Sequence, residues 1–292
     1  MAESASGEAA GQAAHDPEFD RPVFIVSSPR SGSTLLFETL ARAPGLQTTG
    51  SESHVLIETI PGLGLAEHGY ASNRLDAMDA TPAAVDELRR RFLGRLRDRD
   101  GRPPASLPVR MLEKTPKNSL RVPFLARAFP EARFVFLYRD PRQVLASMME
   151  AWMSGRFQTY TGTLPGWPAP YWSLLLTPGW RELAGKPLPD IVASQWQATI
   201  EALVQDLSAL APGCWQAVRY DRFVASPGDT VEGLCRSLGL AWDQTLDATL
   251  PLARHTLTPP SADKWRRYED VINALLPRLQ PTIERVERLV GA

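Results

Sequence analysis

The run VFIV (Val23–Val26) passes straight into SSPRSGST and then into TLLFETLARA, where Leu35, Leu36, Thr39 and Leu40 recur at helical spacing. A strand, a tight loop and a helix in that order constrain the fold more than any other stretch of the chain. Such a loop aims consecutive backbone N–H groups at one point, where the helix dipole also favours negative charge, so it cradles phosphate oxygens. Gly32 supplies the obligate small residue, Ser31, Ser33 and Thr34 supply hydroxyls, and Arg30 supplies a forked cation able to grip an anion bidentately. In the nucleotide-binding pattern GxxxxGK[ST], aligning Gly32 with the second glycine puts Ser27 at the first, Ser33 where the lysine belongs and Thr34 at the magnesium-binding hydroxyl. The missing lysine disfavours triphosphate chemistry, because that ammonium serves the β- and γ-phosphates. A donor with one phosphate at its 5′ end has no such groups to neutralise.

Further strands are expected at VRMLEK (Val109–Lys114), RFVFLYR (Arg133–Arg139) and Trp215–Tyr220. RFVFLYR is apolar on both alternating faces, as a sheet covered on both sides requires. Helices are expected before it, over Pro141–Met153, along Ile191–Leu210 with one buried stripe, and over Val231–Leu238, while Lys264–Val290 reads as helices broken near Pro277 and Pro281. Alternating strands and helices predict an α/β fold with a central parallel sheet. The organisation expected is a disordered leader over 1–20, rich in Ala, Gly, Ser and Glu, and a single domain over 21–292. Two irregular, lid-like insertions fall at 154–189 and 242–263.

A net charge of −1 offers no global field for nucleic acid or an anionic membrane, so any anion site must be built locally. The two cysteines, Cys214 and Cys235, are too few for a disulfide framework or a zinc cluster, and no metal is expected. No secretory signal and no apolar run of the roughly 18 to 20 residues that span a bilayer is present, which makes the cytoplasm the default.

SSPRSGSTLL resembles the 5′-phosphosulfate loop of sulfotransferases that use 3′-phosphoadenosine 5′-phosphosulfate (PAPS), and a second segment agrees with it. FVFLYRDPRQVLASM (Phe134–Met148) resembles that family's 3′-phosphate element, a strand followed by a helix, with Arg139 and Ser147 at the two matching positions. The resemblance implies a P-loop-like three-layer α/β/α fold and a donor held by Arg30, Ser31, Gly32, Ser33, Thr34, Arg139 and Ser147. Tyr220 matches the adenine-contacting tyrosine, and KWRRYE, with Lys264, Trp265 and Arg267, matches the basic segment that closes over the 3′-phosphate.

Sulfuryl transfer is an in-line displacement that needs a base for the acceptor hydroxyl and a cation at the leaving group. Lys114 resembles the family's lysine near the phosphosulfate bridge, while Glu113 and Lys117 beside it read as solvent-facing charges. Glu52 in GSESH resembles the glutamate some relatives use as base. His255, in the second irregular stretch, competes with it for that role. Each residue also has a plain structural reading, as a cap, a core ring or a surface charge.

YWSLLLTPGW and RHTLTPP are similar to segments of sulfotransferases in bacterial natural-product assembly lines. That likeness implies a β-hydroxyacyl chain on an acyl carrier protein as acceptor, packed by an aromatic lid, with Arg156 or Arg181 meeting the carrier. Small natural-product alcohols, sugars and peptide tyrosines stay open, as does the oligomeric state. Two rival readings are a P-loop kinase with Asp140 on magnesium and a catalytically silent nucleotide-binding module.

Overall fold

The computed structural model describes residues 16–291 apart from 163 and 260. In chain order its elements are β1 (Val23–Val26), α1 (Ser33–Leu40), β2 (Leu46–Gln47), α2 (His54–Glu58), α3 (Pro82–Arg95), β3 (Arg110–Lys114), α4 (Val122–Ala128) and β4 (Arg133–Tyr138). Then follow α5 (Pro141–Ser154), β5 (Gln158–Thr161), β6 (Tyr171–Ser173), α6 (Leu188–Ser208), β7 (Trp215–Arg219), α7 (Tyr220–Ala225), α8 (Pro227–Leu238) and α9 (Glu269–Gly291).

Five strands form one sheet in the order β2-β3-β1-β4-β7, every pair parallel. Strand alternation splits the core. Val23 and Ile25 point into an apolar layer with Leu36, Phe37 and Leu40 of α1 and Val231, Leu234 and Leu238 of α8. Phe24 and Val26 point into the opposite layer with residues of α4, α5, α6 and α9. This is the P-loop-like α/β/α arrangement. The chain leaves β1 for β2 and β3 on one side and then crosses to β4 on the other, so a crevice opens at the carboxyl end of β1, where such sheets place ligands.

Four features differ from the sequence expectations. The leader's residues 1–15 lie outside the described residues, but its last part is built into the fold: Phe19 is fully buried and bridges Val109, and Arg89 pairs with Asp16 at 2.5 Å and Glu18 at 2.8 Å. The end of the chain holds one helix, α9, running through Pro277 and Pro281. Both prolines face solvent, so the carbonyls that lose an N–H partner are open to water, while Ile272, Leu275, Leu279 and Val286 bury the opposite face.

The first insertion contains an antiparallel hairpin, β5–β6. Its tryptophans pack on each other instead of lining the cavity, with Trp167 and Trp172 at 4.8 Å and Trp172 and Trp180 at 6.0 Å between centroids, whereas Phe157 and Tyr160 do reach it. Each indole N–H has an acceptor: Gln195 Oε1 for Trp152, and the carbonyls of Tyr171, Leu175 and Tyr70 for Trp167, Trp172 and Trp180. Finally, Glu113 and Lys117 are buried, at 1% and 7% exposure, because each charge has its own set of partners. Among the described residues no helix is long and apolar enough to cross a membrane.

Candidate active site

An open cavity of about 600 Å³ lies at the carboxyl ends of the central strands. Its first wall is the loop between β1 and α1. Gly32 takes φ +98°, and a Cβ there would lie 2.4 Å from the Tyr220 ring. Backbone and ring are thus in direct contact at the foot of α1, whose first residues have no side-chain cap. Ser31 lies beneath the loop with its hydroxyl 2.8 Å from that of Ser28, whereas Arg30, Gly32, Ser33 and Thr34 line the cavity.

Arg139 leaves the end of β4, and Ser147 sits in α5. Arg139 lies 4.3 Å above the Tyr220 ring and donates to Gln143 Oε1 at 3.0 and 2.9 Å. Arg30 donates to Ser147 Oγ at 3.3 Å and to the carbonyl of His255 at 3.1 Å, and stacks 4.5 Å from Phe157. Among the described residues neither guanidinium is ion-paired with a carboxylate, and both face the same cavity. Burial lowers the pKa of each, and the charge of Arg139 helps to bring Arg30 down to about 10. Two partly desolvated cations held together, with no carboxylate in direct contact among the described residues, are poised for an anion.

Asp140 caps α5 through the N–H of Arg142 at 2.8 Å and pairs with the Arg142 guanidinium at 2.6 Å. Burial alone would raise its pKa, but those bonds outweigh it and hold the carboxyl below its ordinary range. The aspartate that a kinase would place on magnesium is therefore committed to Arg142.

On the third wall, Lys264 and Trp265 reach the cavity from a 3-10 turn over Lys264–Tyr268. Lys264 pairs with Glu150 at 2.5 Å and also bonds Thr258 Oγ1. Arg267 joins the same Glu150 at 3.3 Å from an exposed position and does not line the cavity. The buried Trp265 ring is approached by the guanidiniums of Arg142 and Arg266, at 4.9 and 5.3 Å.

The remaining end holds Glu52, His54, Glu58, Lys117, Phe157, Tyr160 and His255. Lys114 is not at the cavity surface; its side chain is 4% exposed and its ammonium donates to Glu52 Oε1 at 2.8 Å. The placement expected for Lys114, free beside a leaving group, is therefore not the one found, because Glu52 lies within reach of the strand end. Glu52 also approaches His54 Nδ1 at 3.9 Å. His54 and His255 are both lowered in pKa, first by burial and then by Lys117 and Lys114 respectively, which favours neutral rings. His255 is carried on an irregular strap with its ring edge-on to Phe157 at 6.4 Å.

Sequence reasoning missed the floor of this end. Lys117 donates to both oxygens of Glu58 at 2.9 Å, Arg121 reaches the same carboxylate at 2.5 Å, and Tyr160 lies under the Lys117 ammonium at 4.8 Å. Burial would raise Glu58, but Arg121 and Lys117 hold it below the usual range. Of the two surface arginines considered for a carrier protein, Arg181 is folded onto Trp180 and the Gly69 carbonyl, and Arg156 is exposed.

A parallel α/β sheet with a glycine-dependent loop between its central strand and the following helix defines a P-loop-like protein. The sulfotransferase family's sequence profile matches residues 22–244, and the chain belongs to that family. It is similar to protein-tyrosine sulfotransferase 2 of Gallus gallus, at 22% identity over 77% of this chain and 52% of that protein. It also resembles a putative protein-tyrosine sulfotransferase of Caenorhabditis briggsae, at 26% identity over 45% of this chain and 44% of that one. The chain spans about half the length of these curated relatives. Its fold matches that of a sulfotransferase from Alicyclobacillus acidocaldarius with a TM-score of 0.53, at 17% identity over 93% of this chain and 96% of the other.

Proposed function

We propose that the protein transfers the sulfuryl group of PAPS to a hydroxyl acceptor, with Glu52 taking the hydroxyl proton. The observation that carries this reading is the Arg30 and Arg139 pair, half-buried and, among the described residues, without a carboxylate partner, against a helix N-terminus that has room only for glycine. Both features fit a donor with phosphate at two places. The loop from Arg30 to Thr34 would hold its 5′ end, Arg139 and Ser147 its 3′-phosphate, and Tyr220 and Trp265 its base. Lys264 would join them by exchanging Glu150 for phosphate. When bound, the donor supplies a sulfuryl group whose bond to the 5′-phosphate oxygen breaks as the acceptor oxygen bonds to sulfur, leaving adenosine 3′,5′-bisphosphate.

Glu52 is preferred to His255 as base because its carboxylate is fixed by Lys114, whereas among the described residues no hydrogen bond orients the His255 ring. Lys114 then acts on Glu52, keeping the carboxylate aimed into the cavity. The leaving phosphate is compensated by the loop N–H groups and Arg30. The acceptor end combines polar Glu52, His54 and Lys117 with apolar Leu174, Leu175, Leu250 and Leu252, which suits an alcohol or phenol on an apolar body.

Thermal melts with adenosine 3′,5′-bisphosphate, AMP and magnesium-ATP test the donor. At about 100 times its dissociation constant the bisphosphate should add about 2.7 kcal/mol. Equal shifts from AMP would remove the 3′-phosphate site, and magnesium-dependent ATP turnover would favour the kinase. Transfer of labelled sulfate to a tyrosine peptide, a small alcohol and a β-hydroxyacyl carrier protein then separates the acceptors. Bisphosphate binding with no transfer to any of the three would favour the silent module.

A further inference from the structure

Glu113 is the residue beside Lys114 on β3, 1% exposed, and it takes no part in the chemistry above. Its Oε1 accepts from Ser53 Oγ at 2.7 Å and from Thr115 Oγ1 at 2.6 Å, and Asn118 Nδ2 lies 2.7 Å from Oε2. The Thr115 hydroxyl accepts in turn from the backbone N–H of Ser53 at 2.7 Å. Backbone and side chain of Ser53 are thus both fastened to the end of β3. Burial pushes the carboxyl of Glu113 up, and its hydrogen-bonding partners are uncharged.

Ser53 occupies the N-cap of α2, where a serine hydroxyl ordinarily accepts from the helix's own first N–H groups. Here it makes no such bond; the hydroxyl is turned to Glu113 instead and donates to it. A capping contribution of about 1 kcal/mol is given up for a connection between α2 and the sheet. The residues on either side of Ser53 are Glu52 and His54, both at the cavity surface. Side chains alternate along a strand. Lys114 therefore meets Glu52 from one face of β3, while Glu113 and Thr115 fasten the next residue from the other.

We propose that Glu113 is a positioning residue for sulfuryl transfer, holding Ser53 so that Glu52 keeps its place at the acceptor end. This rests on the sulfotransferase reading. A carboxyl oxygen suits the role because it accepts two hydroxyls at once, and an amide oxygen could do the same once the Asn118 amide turns its own oxygen, which lacks a partner among the described residues, toward the new NH2. Glutamine should therefore rescue what leucine loses.

The test compares wild type, Glu113→Gln and Glu113→Leu. The assays are release of inorganic sulfate from PAPS with water as acceptor, binding of adenosine 3′,5′-bisphosphate, and hydrogen exchange at the Ser53 amide. Glu113→Leu should lower turnover per folded molecule by about 30-fold, as expected when a reacting group shifts by a fraction of an ångström. Its bisphosphate affinity should stay within about twofold, and Ser53 exchange should speed up while the amides of β1 and β4 stay protected. Glu113→Gln should keep turnover within about threefold and Ser53 protected.

If the leucine variant does not fold, Thr115→Val removes the same clamp from its other side and should give the same pattern. Unchanged turnover in the disrupted variant, parallel loss of turnover and bisphosphate affinity, or Ser53 exchange equal to wild type would each overturn the proposal. A wild-type protein that binds no bisphosphate would instead count against the sulfotransferase reading, and Ser53 exchange would still decide whether the clamp exists.

Discussion

Gly32 has no space for a side chain on either count that matters, backbone or neighbour. Its φ of +98° disfavours any L residue, and a methyl group would meet the Tyr220 ring. Gly32→Ala should therefore cost about 1 to 3 kcal/mol of stability and displace Tyr220 from the cavity wall, read by denaturant titration together with bisphosphate calorimetry. A wild-type affinity in that variant would take Tyr220 out of the donor site. Arg139 behaves in the opposite sense. Its charge is partly desolvated and repelled by Arg30, so Arg139→Ala should leave the melting temperature of the unliganded protein nearly unchanged. Bisphosphate affinity should fall by about 10- to 100-fold, the worth of a hydrogen bond to a charged group. A drop in stability with affinity intact would make Arg139 a structural residue.

At the scale of elements, Glu58 ends α2 and joins it to Lys117, on a 3-10 turn over Pro116–Leu120 after β3, and to Arg121 ahead of α4. Glu58→Gln leaves two buried cations without their carboxylate, which should destabilise by about 3 kcal/mol at neutral pH. Because the folded carboxyl lies below its unfolded value of about 4.3, its contribution is complete above that pH. It is lost as pH falls through the folded value, so the gap between variant and wild type should close in acid. Urea melts at pH 7 and pH 3 read the difference, and a constant gap would refute the linkage.

These same residues mark where sequence reading stops. VFIV and RFVFLYR announce buried strands because their apolar runs leave no alternative, and the loop between β1 and α1 follows from local order alone. The burial of Lys117, Glu58 and Glu113 depends on partners far along the chain, such as Ser53 for Glu113. Helix α9 defied its prolines because the decisive fact, that Pro277 and Pro281 face solvent, belongs to packing on α6. Pro277→Ala should consequently stabilise by about 1 kcal/mol, raising the melting temperature by about 2 to 4 °C. No gain would mean that the proline's stiffening of the unfolded chain offsets the recovered hydrogen bond.

For the molecule as a whole, a net charge of −1 and a cavity holding two unpaired guanidiniums imply a field that is strong inside and negligible outside. A surface-spread basic patch attracts polyanions over about 10 Å at 0.1 M salt and loses most of that reach as salt rises. Arg30 and Arg139 are partly removed from solvent, where added ions screen them much less. Raising sodium chloride from about 0.05 to 0.5 M should therefore weaken bisphosphate binding by less than about tenfold, with most of the change in the dissociation rate. Stopped-flow binding at the two salts separates the rates. A steep fall in the association rate would show that exposed cations such as Arg156 and Arg267 steer the ligand, and would move the origin of its recognition from the buried pair to the rim of the cavity.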